Sequence, residues 1–293
     1  MASTQILQRR IKSVKSTRQI TKAMELVAAS KMRKATELAH QGRSYRQAAH
    51  HLLSRLASLT DINEHPLYAK REVKTRLYVA ITSDRGLAGA YNSNIVKMLT
   101  RAAQADDAQG IKTKAIIIGN RGVQFIKRIE DIDLVAAFPG FGDKPTANDI
   151  RPVLTAMIDL YQSQQVDDVQ LLYTVHQSNI SQVATALALL PARVEDDEEP
   201  SDEELESLDN TTFEPSLHAV LDNVTERLLE VQIWQAMLES IASEHSMRML
   251  SMKNATDNAN DLIGDLTLEF NTARQANITQ EIAEVTGGAE AMK

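Results

Sequence analysis

The sequence predicts an α/β protein: a long antiparallel two-helix coiled coil from the N- and C-terminal segments, with a Rossmann-like α/β domain inserted between them. Three observations carry this reading. Apolar residues recur at three and four along both ends of the 293-residue chain. Short β-branched runs alternate with helical stretches in the middle, and the two ends carry opposite charge. The expected division is 1–60 for the N-terminal helix, 75–192 for the α/β domain, 193–214 for an acidic loop and 215–293 for the C-terminal helix.

The first helix is read from residues 3–58, which hold no Pro and a single Gly, Gly42. Leu7, Ile11, Val14, Ile20, Met24, Val27, Met32, Ala35 and Leu38 recur at three and four, and Tyr45, Ala49, Leu52 and Leu56 continue the stripe. That spacing is a coiled-coil seam, with Ser3 as the N-cap and a helix about 80 Å long. Twelve Lys or Arg stand against two Glu in this segment.

The middle has another rhythm. Arg76–Ser83, Lys114–Gly119, Leu134–Phe138 and Val169–Val175 read as strands, with helical stretches near 91–105, 121–129 and 147–164. Strands alternating with helices imply βαβ units and a mostly parallel sheet. Residues 195–209 then carry ten acids and no base; the other 29 acids of the chain face 32 bases. This stretch reads as a solvated loop.

The last helix is read from residues 216–286, again without Pro. Its seam runs from Leu217 through Leu221, Val224, Leu228, Val231, Leu238, Ile241, His245, Met252, Ala255, Ala259, Leu262, Leu266 and Phe270 to Ala273. Pro215 and Ser216 mark its start, Gly287 and Gly288 its stop, and its length is about 105 Å. Four bases face eleven acids here, so the two terminal helices are electrostatic partners. An antiparallel hairpin with residue 3 opposite roughly 245–260 leaves Ile278, Ile282, Val285 and Met292 on a protruding apolar tip that needs an external partner.

The search for reactive chemistry returns little. Ser83 to Ala90 (Ser-Asp-Arg-Gly-Leu-Ala-Gly-Ala) follows the first strand, where a phosphate loop would sit, but carries no phosphate-loop fingerprint. Gly86 and Gly89 read as a tight turn, with ligand binding as the alternative. The absence of Cys excludes a disulfide framework and thiolate metal sites, and none of the seven His forms a ligand pair. His245 reads as a packed histidine on the helical seam. Asp84 and Asp143 fall in loops, with no base or nucleophile paired to them in sequence. The expectation is no catalytic residue, no cofactor and no metal. The longest uncharged stretch, Val169 to Ala192, is interrupted by polar residues, so no membrane span is expected.

Arg9, Arg10, Lys12, Lys15, Arg18 and Lys22, followed by Lys31, Arg33 and Lys34, make the first helix strongly basic. Three readings stand. The charges form a solvated face paired with the acidic last helix, they contact nucleic-acid phosphates, or they meet an acidic protein surface. With one Trp, six Tyr and five Phe, the chain is poor in base-stacking residues.

Four motifs carry a family resemblance. The run from Arg18 to Met32 (Arg-Gln-Ile-Thr-Lys-Ala-Met-Glu-Leu-Val-Ala-Ala-Ser-Lys-Met) resembles the N-terminal helix of gamma subunits of F-type ATP synthases. Ser83 to Asn94 resembles that family's first βα turn, and Ser243–Met249 with Met252–Ala259 resembles its C-terminal helix. Ile278 to Ala289 fits the family's I-T-x-E-x-x-[DE]-x-x-x-G-A ending.

The resemblance implies a central-stalk rotor without an active site of its own. It implies a coiled coil turning inside a ring of three alpha and three beta subunits, and an α/β domain meeting the epsilon subunit and the membrane c-ring. By motif, Met24, Lys31, Arg33 and Lys34 correspond to the contact region for beta-subunit loops. Arg274 and Gln275 correspond to a pair that hydrogen-bonds a beta loop, and Ile278, Ile282 and Val285 to the apolar collar. No nucleic acid is implied, and membrane association is peripheral, through the complex. The N-terminus has no transit-like segment, so a bacterial chain at the cytoplasmic face of the plasma membrane is expected. Two departures stand out. The chain lacks the regulatory dithiol of chloroplast forms, and 195–209 is unusually acidic, serving either solvation or contact with a basic surface on epsilon or c. The competing reading is a free-standing α/β protein whose basic arm binds nucleic acid.

Overall fold

The computed structural model describes residues 4–59, 65–178, 180–192 and 216–291, with side chains described except at 41–59, 147, 217–218 and 290–291. In chain order the elements are α1 (Thr4–Leu59), β1 (Thr75–Ile81), α2 (Tyr91–Asp107), β2 (Lys112–Ile118), α3 (Asn120–Ile126), β3 (Asp133–Phe138), α4 (Ala147–Gln162), β4 (Asp168–His176), β5 (Gln182–Leu190) and α5 (Leu217–Ala291). They divide into two compact units, 30–247 and 1–29 with 248–293. Ser3, the acidic loop 193–214, Pro215 and Met292 lie outside the described residues, as do the side chains of Tyr45, Ala49, Leu52, Leu56 and Leu217.

In the unit of residues 30–247, β1 is apolar almost without a break, as expected of a strand covered on both faces. It sits at the centre of a sheet ordered β3–β2–β1–β4–β5. The first four strands are parallel, with Val79 beside Ile116 on one side and Leu171 on the other. One face packs Leu77, Val79, Ile81, Ile116 and Ile118 against α4 and α5. The other packs Tyr78, Ala80, Ala115 and Ile117 against α2 and α3. Each fully buried Ile or Leu here contributes about 1.5–3 kcal/mol.

Two features depart from the sequence reading. β5 is an additional strand, antiparallel to β4, with Leu171 paired to Leu187. Its Ala- and Leu-rich sequence carries weak strand propensity, and tertiary pairing decides the outcome. The last helix is also more than a coiled-coil strand: Leu228 to Glu230, Ile233, Gln235 to Leu238 and Ser240 to Ser243 are all buried. It serves as a layer of the α/β fold. Ser240 Oγ accepts from Thr174 N (3.1 Å), Ser243 Oγ donates to Thr174 O (3.1 Å), and Gln182 Nε2 donates to Ser246 Oγ (3.0 Å).

In the unit of residues 1–29 and 248–293, α1 and α5 pair antiparallel. Thr21 lies against Thr256, Arg18 against Asn260, and Leu7 shares a groove of about 450 Å³ with Leu268, Ala273 and Ala276. The offset therefore differs from the sequence expectation: Leu7 lies beside 265–276, not 245–260. The seam differs too. Leu7, Thr21 and Ala28 are buried, whereas Ile20 and Val27 are more than half exposed. On α5, Met252, Thr256, Ala259 and Leu266 are buried, and Leu262 faces solvent. The spacing is still a heptad, but it passes through small and polar residues, which allow close approach of the helices. The helix also continues through Gly287 and Gly288 to Ala291, because neither glycine takes the positive φ that ends a helix.

Thr21 and Thr256 form a polar joint inside this seam. Their hydroxyls meet at 2.8 Å, and each also lies within bonding distance of a carbonyl of its own helix, Arg18 O and Met252 O. Two protons serve three contacts, so one hydroxyl donates across and the other donates back. Thr21→Val alone is expected to cost about 1 kcal/mol, and Thr21→Val with Thr256→Val to recover most of it through apolar contact. A thermal-unfolding double-mutant cycle checks this; losses that simply add would refute the joint.

Candidate interaction surfaces

The loops at the C-terminal edge of the parallel strands are the natural ligand position of such a sheet. Here their polar groups are turned on one another. Ser83 N donates to Asn92 Oδ1 (2.9 Å), and Asn92 Nδ2 donates to Ser83 Oγ (2.8 Å). Asp84 Oδ1 accepts from Asn120 N (2.9 Å), Asn120 Nδ2 (2.9 Å) and Gly140 N (3.0 Å), knitting three loops together. The start of α3 is likewise closed: Gly122 N donates to Thr82 Oγ1 (3.0 Å) and Arg121 N to Ser83 O (3.0 Å). These donors hold the loops in shape, and Gly89 takes a positive φ of 54° within the first of them. Leu87 stands out from this edge, exposed and with a positive φ of 62°.

Asp143, in the β3–α4 loop, has partners that the sequence did not reveal. Its Oδ2 accepts from Lys31 Nζ of α1 (2.7 Å) and its Oδ1 pairs with His245 Nε2 of α5 (2.8 Å). Burial disfavours ionisation of Asp143, but the hydrogen bonds and charges of Lys31 and His245 outweigh it and hold the carboxyl below its usual range. His245 is buried, as expected of a packed histidine, with a carboxylate as its partner. The pairing joins residues far apart in sequence, so no local motif announces it. Among the described residues, no group of three or more His, Asp or Glu is arranged to hold a metal ion.

The nine residues picked out in the sequence fall in separate places. Met24, on α1, is half-buried at the edge of the coiled-coil seam. Lys31 is engaged by Asp143, whereas Arg33 and Lys34 beside it are exposed. On α5, every residue from Arg274 to Ala289 is exposed. Arg274 and Gln275 open this stretch. Ile278, Ile282 and Val285 follow at helical spacing, Val285 being 72% exposed. The sequence reading missed the apolar residues that α1 itself displays: Ile6, Ile20, Leu26 and Val27 all face outward. Treating Ile20 and Val27 as seam residues hid this surface.

The architecture defines a class: coiled-coil proteins carrying an inserted doubly wound α/β domain, here with apolar and basic helix surfaces that the described residues leave exposed. The family described as ATP synthase matches residues 3–292. The chain is 39% identical to the ATP synthase gamma chain of Staphylococcus carnosus, with both chains fully covered. It is 41% identical to that of Heliobacterium modesticaldum, with 98% of each covered. A chain of the Tetrahymena thermophila mitochondrial ATP synthase central stalk and c-ring structure superposes with a TM-score of 0.59 at 27% identity, covering 80% of this chain and 99% of that one. A chain of the Euglena gracilis mitochondrial enzyme shares the fold, with a TM-score of 0.69 at 18% identity over 99% and 94% of the two chains. The chain belongs to the ATP synthase gamma-chain family, the central-stalk rotor subunits of F-type ATP synthases.

Proposed function

We propose that the chain works as a non-catalytic torque shaft, coupling rotation of an ion-driven c-ring to ATP synthesis or hydrolysis in a ring of three alpha and three beta subunits. In this reading segments 1–60 and 215–293 are the shaft, and 75–192 is the domain that meets epsilon and the c-ring. The assembly sits peripherally at the cytoplasmic face of a bacterial plasma membrane. No helix among the described residues is long and apolar enough to cross a membrane, which suits attachment through the complex.

The observation that carries the reading is the end of α5. Ile278, Ile282 and Val285 are displayed to solvent on a stretch of helix, Arg274 to Ala289, that none of the described residues covers. A lone amphipathic turn in water frays, whereas an apolar collar supplied by the alpha and beta subunits would hold it. Arg274 and Gln275 would bond a beta loop just below that collar. Met24, Lys31, Arg33 and Lys34 would meet acidic beta loops, where charge complementarity guides assembly more than it adds affinity.

The test uses the complex captured from gently solubilised membranes through a tagged chain. The unmodified chain is expected to bring down the other subunits with ATP hydrolysis. Ile282→Asp with Val285→Asp leaves the unfolding of the isolated chain unchanged, because both positions are exposed. It lowers recovery of the complex about tenfold or more, since each buried aliphatic group contributes about 1.5–3 kcal/mol. Arg33→Glu with Lys34→Glu weakens assembly or coupling as well. Full recovery and full coupling in both pairs would refute the contact assignments.

A further inference from the structure

The β3–α4 loop would be free to swing on composition alone. Gly140 and Gly142 lie within it, and Gly142 holds a φ of 74° with nothing near the position of a Cβ. Yet it is pinned at both ends. Gly140 N donates to Asp84, and Trp234 Nε1 of α5 donates to Pro145 O (3.0 Å). Between these points lies Asp143, with one carboxylate oxygen on Lys31 of α1 and the other on His245 of α5. Trp234 and His245 are about three helical turns apart, so the loop is fastened to α5 at two heights.

We propose that the Lys31–Asp143–His245 contact is a mechanical joint fixing the α/β domain's loop to both long helices, and that Asp143 is a positioning residue for torque transfer. The inference rests on the rotor reading above. Apolar packing is non-directional, so a helix turning about its axis slides over it with little resistance. Charge-assisted hydrogen bonds are directional and resist such displacement. A carboxylate that uses both oxygens on two different helices resists it in two directions. The pair is also a poor device for stability alone. The Lys31 and Asp143 side chains are 36% and 46% exposed, and ion pairs so placed add little to folding. Lys31 is therefore assigned an internal role in addition to any contact with a beta loop.

The experiment uses inverted membrane vesicles carrying the whole complex. ATP hydrolysis and ATP-driven charging of the membrane, read with a potential-sensitive dye, are measured together. Asp143→Asn keeps the size of the side chain and removes its charge. It is expected to leave the amount of assembled complex near normal and to lower charging per ATP hydrolysed about threefold. Asp143→Glu, which keeps the charge facing both partners, is expected to retain most of the ratio. His245→Gln, which keeps a donor, has a smaller effect than His245→Leu. An unchanged ratio in Asp143→Asn, or Asp143→Glu no better than Asp143→Asn, would overturn the joint. Absence of ATP-driven charging with the unmodified chain would instead strike at the rotor reading, so the two failures are distinguishable.

Discussion

Gly119→Ala is expected to prevent the chain from accumulating as a folded protein. Gly119 follows β2 with a φ of 97°, in a region that side-chain-bearing residues avoid. A Cβ there would lie 2.2 Å from Thr82 O, a backbone atom fixed in the centre of the sheet edge. The usual cost of the backbone conformation, about 1–3 kcal/mol, thus adds to an overlap that no rotamer change relieves. The total is about 4 kcal/mol or more, a large share of the stability of any domain. Gly110 is the internal control. It has a positive φ of 74° but nothing within 4 Å of a Cβ. Gly110→Ala should cost only about 1 kcal/mol, the backbone penalty alone. Soluble yield and thermal unfolding of the two variants, compared side by side, check the difference; equal effects would show that the Thr82 overlap is relieved by backbone movement.

Arg76→Met is expected to destabilise the chain by about 3–5 kcal/mol, because it strands the buried Asp106 carboxylate. Arg76 binds Asp106 and reaches Asp168 Oδ2 at 2.6 Å, linking β1 to α2 and β4. The Asp106 side chain is 2% exposed, with Tyr78 OH as its second donor at 2.8 Å. Burial and the neighbouring Asp106 push the Tyr78 hydroxyl up to about 12, so it stays a donor throughout the working range. Without the guanidinium, the buried Asp106 carboxylate is left with the Tyr78 hydroxyl as its remaining side-chain donor. Arg76→Met with Asp106→Asn should recover a large part of the loss. Denaturant unfolding of the single and double variants tests this, and a loss with no recovery would show that packing of the arginine stem dominates.

How far the sequence announced this structure depends on the range of the interactions concerned. The four parallel strands and their helices were legible because β1, β2 and β4 are runs of β-branched and aliphatic residues bounded by polar turns. α1 and α5 were legible from periodicity over many turns. Their seam was not. The largest aliphatic residues, Ile20 and Val27, drew the stripe away from Thr21 and Ala28, which pack because they are small. Only the facing helix selects between the two stripes. β5 was hidden because its Ala and Leu residues suit a helix as well as a strand, and pairing with β4 settles it. The same limit applies to the surfaces. The apolar end of α5 is a local pattern and could be read directly. The positions of Asp84 and Asp143 in loops were visible, but their partners arrive from other elements. A carboxylate in a loop gives no sign of the lysine and histidine that will reach it.

The burial of α5 within the α/β layers bears on how the chain is made. Leu221 to Ala242 cover the sheet face formed by Leu77, Val79 and Ile118, yet they are translated well over a hundred residues after β1. A nascent chain that has just completed β5 holds the five described strands but lacks part of one covering layer. Its sheet face is a sticky apolar surface until Leu221 to Ala242 have been made. The order of synthesis thus sets a window of exposure in which chaperones can act, and the window closes only when this stretch of α5 has emerged.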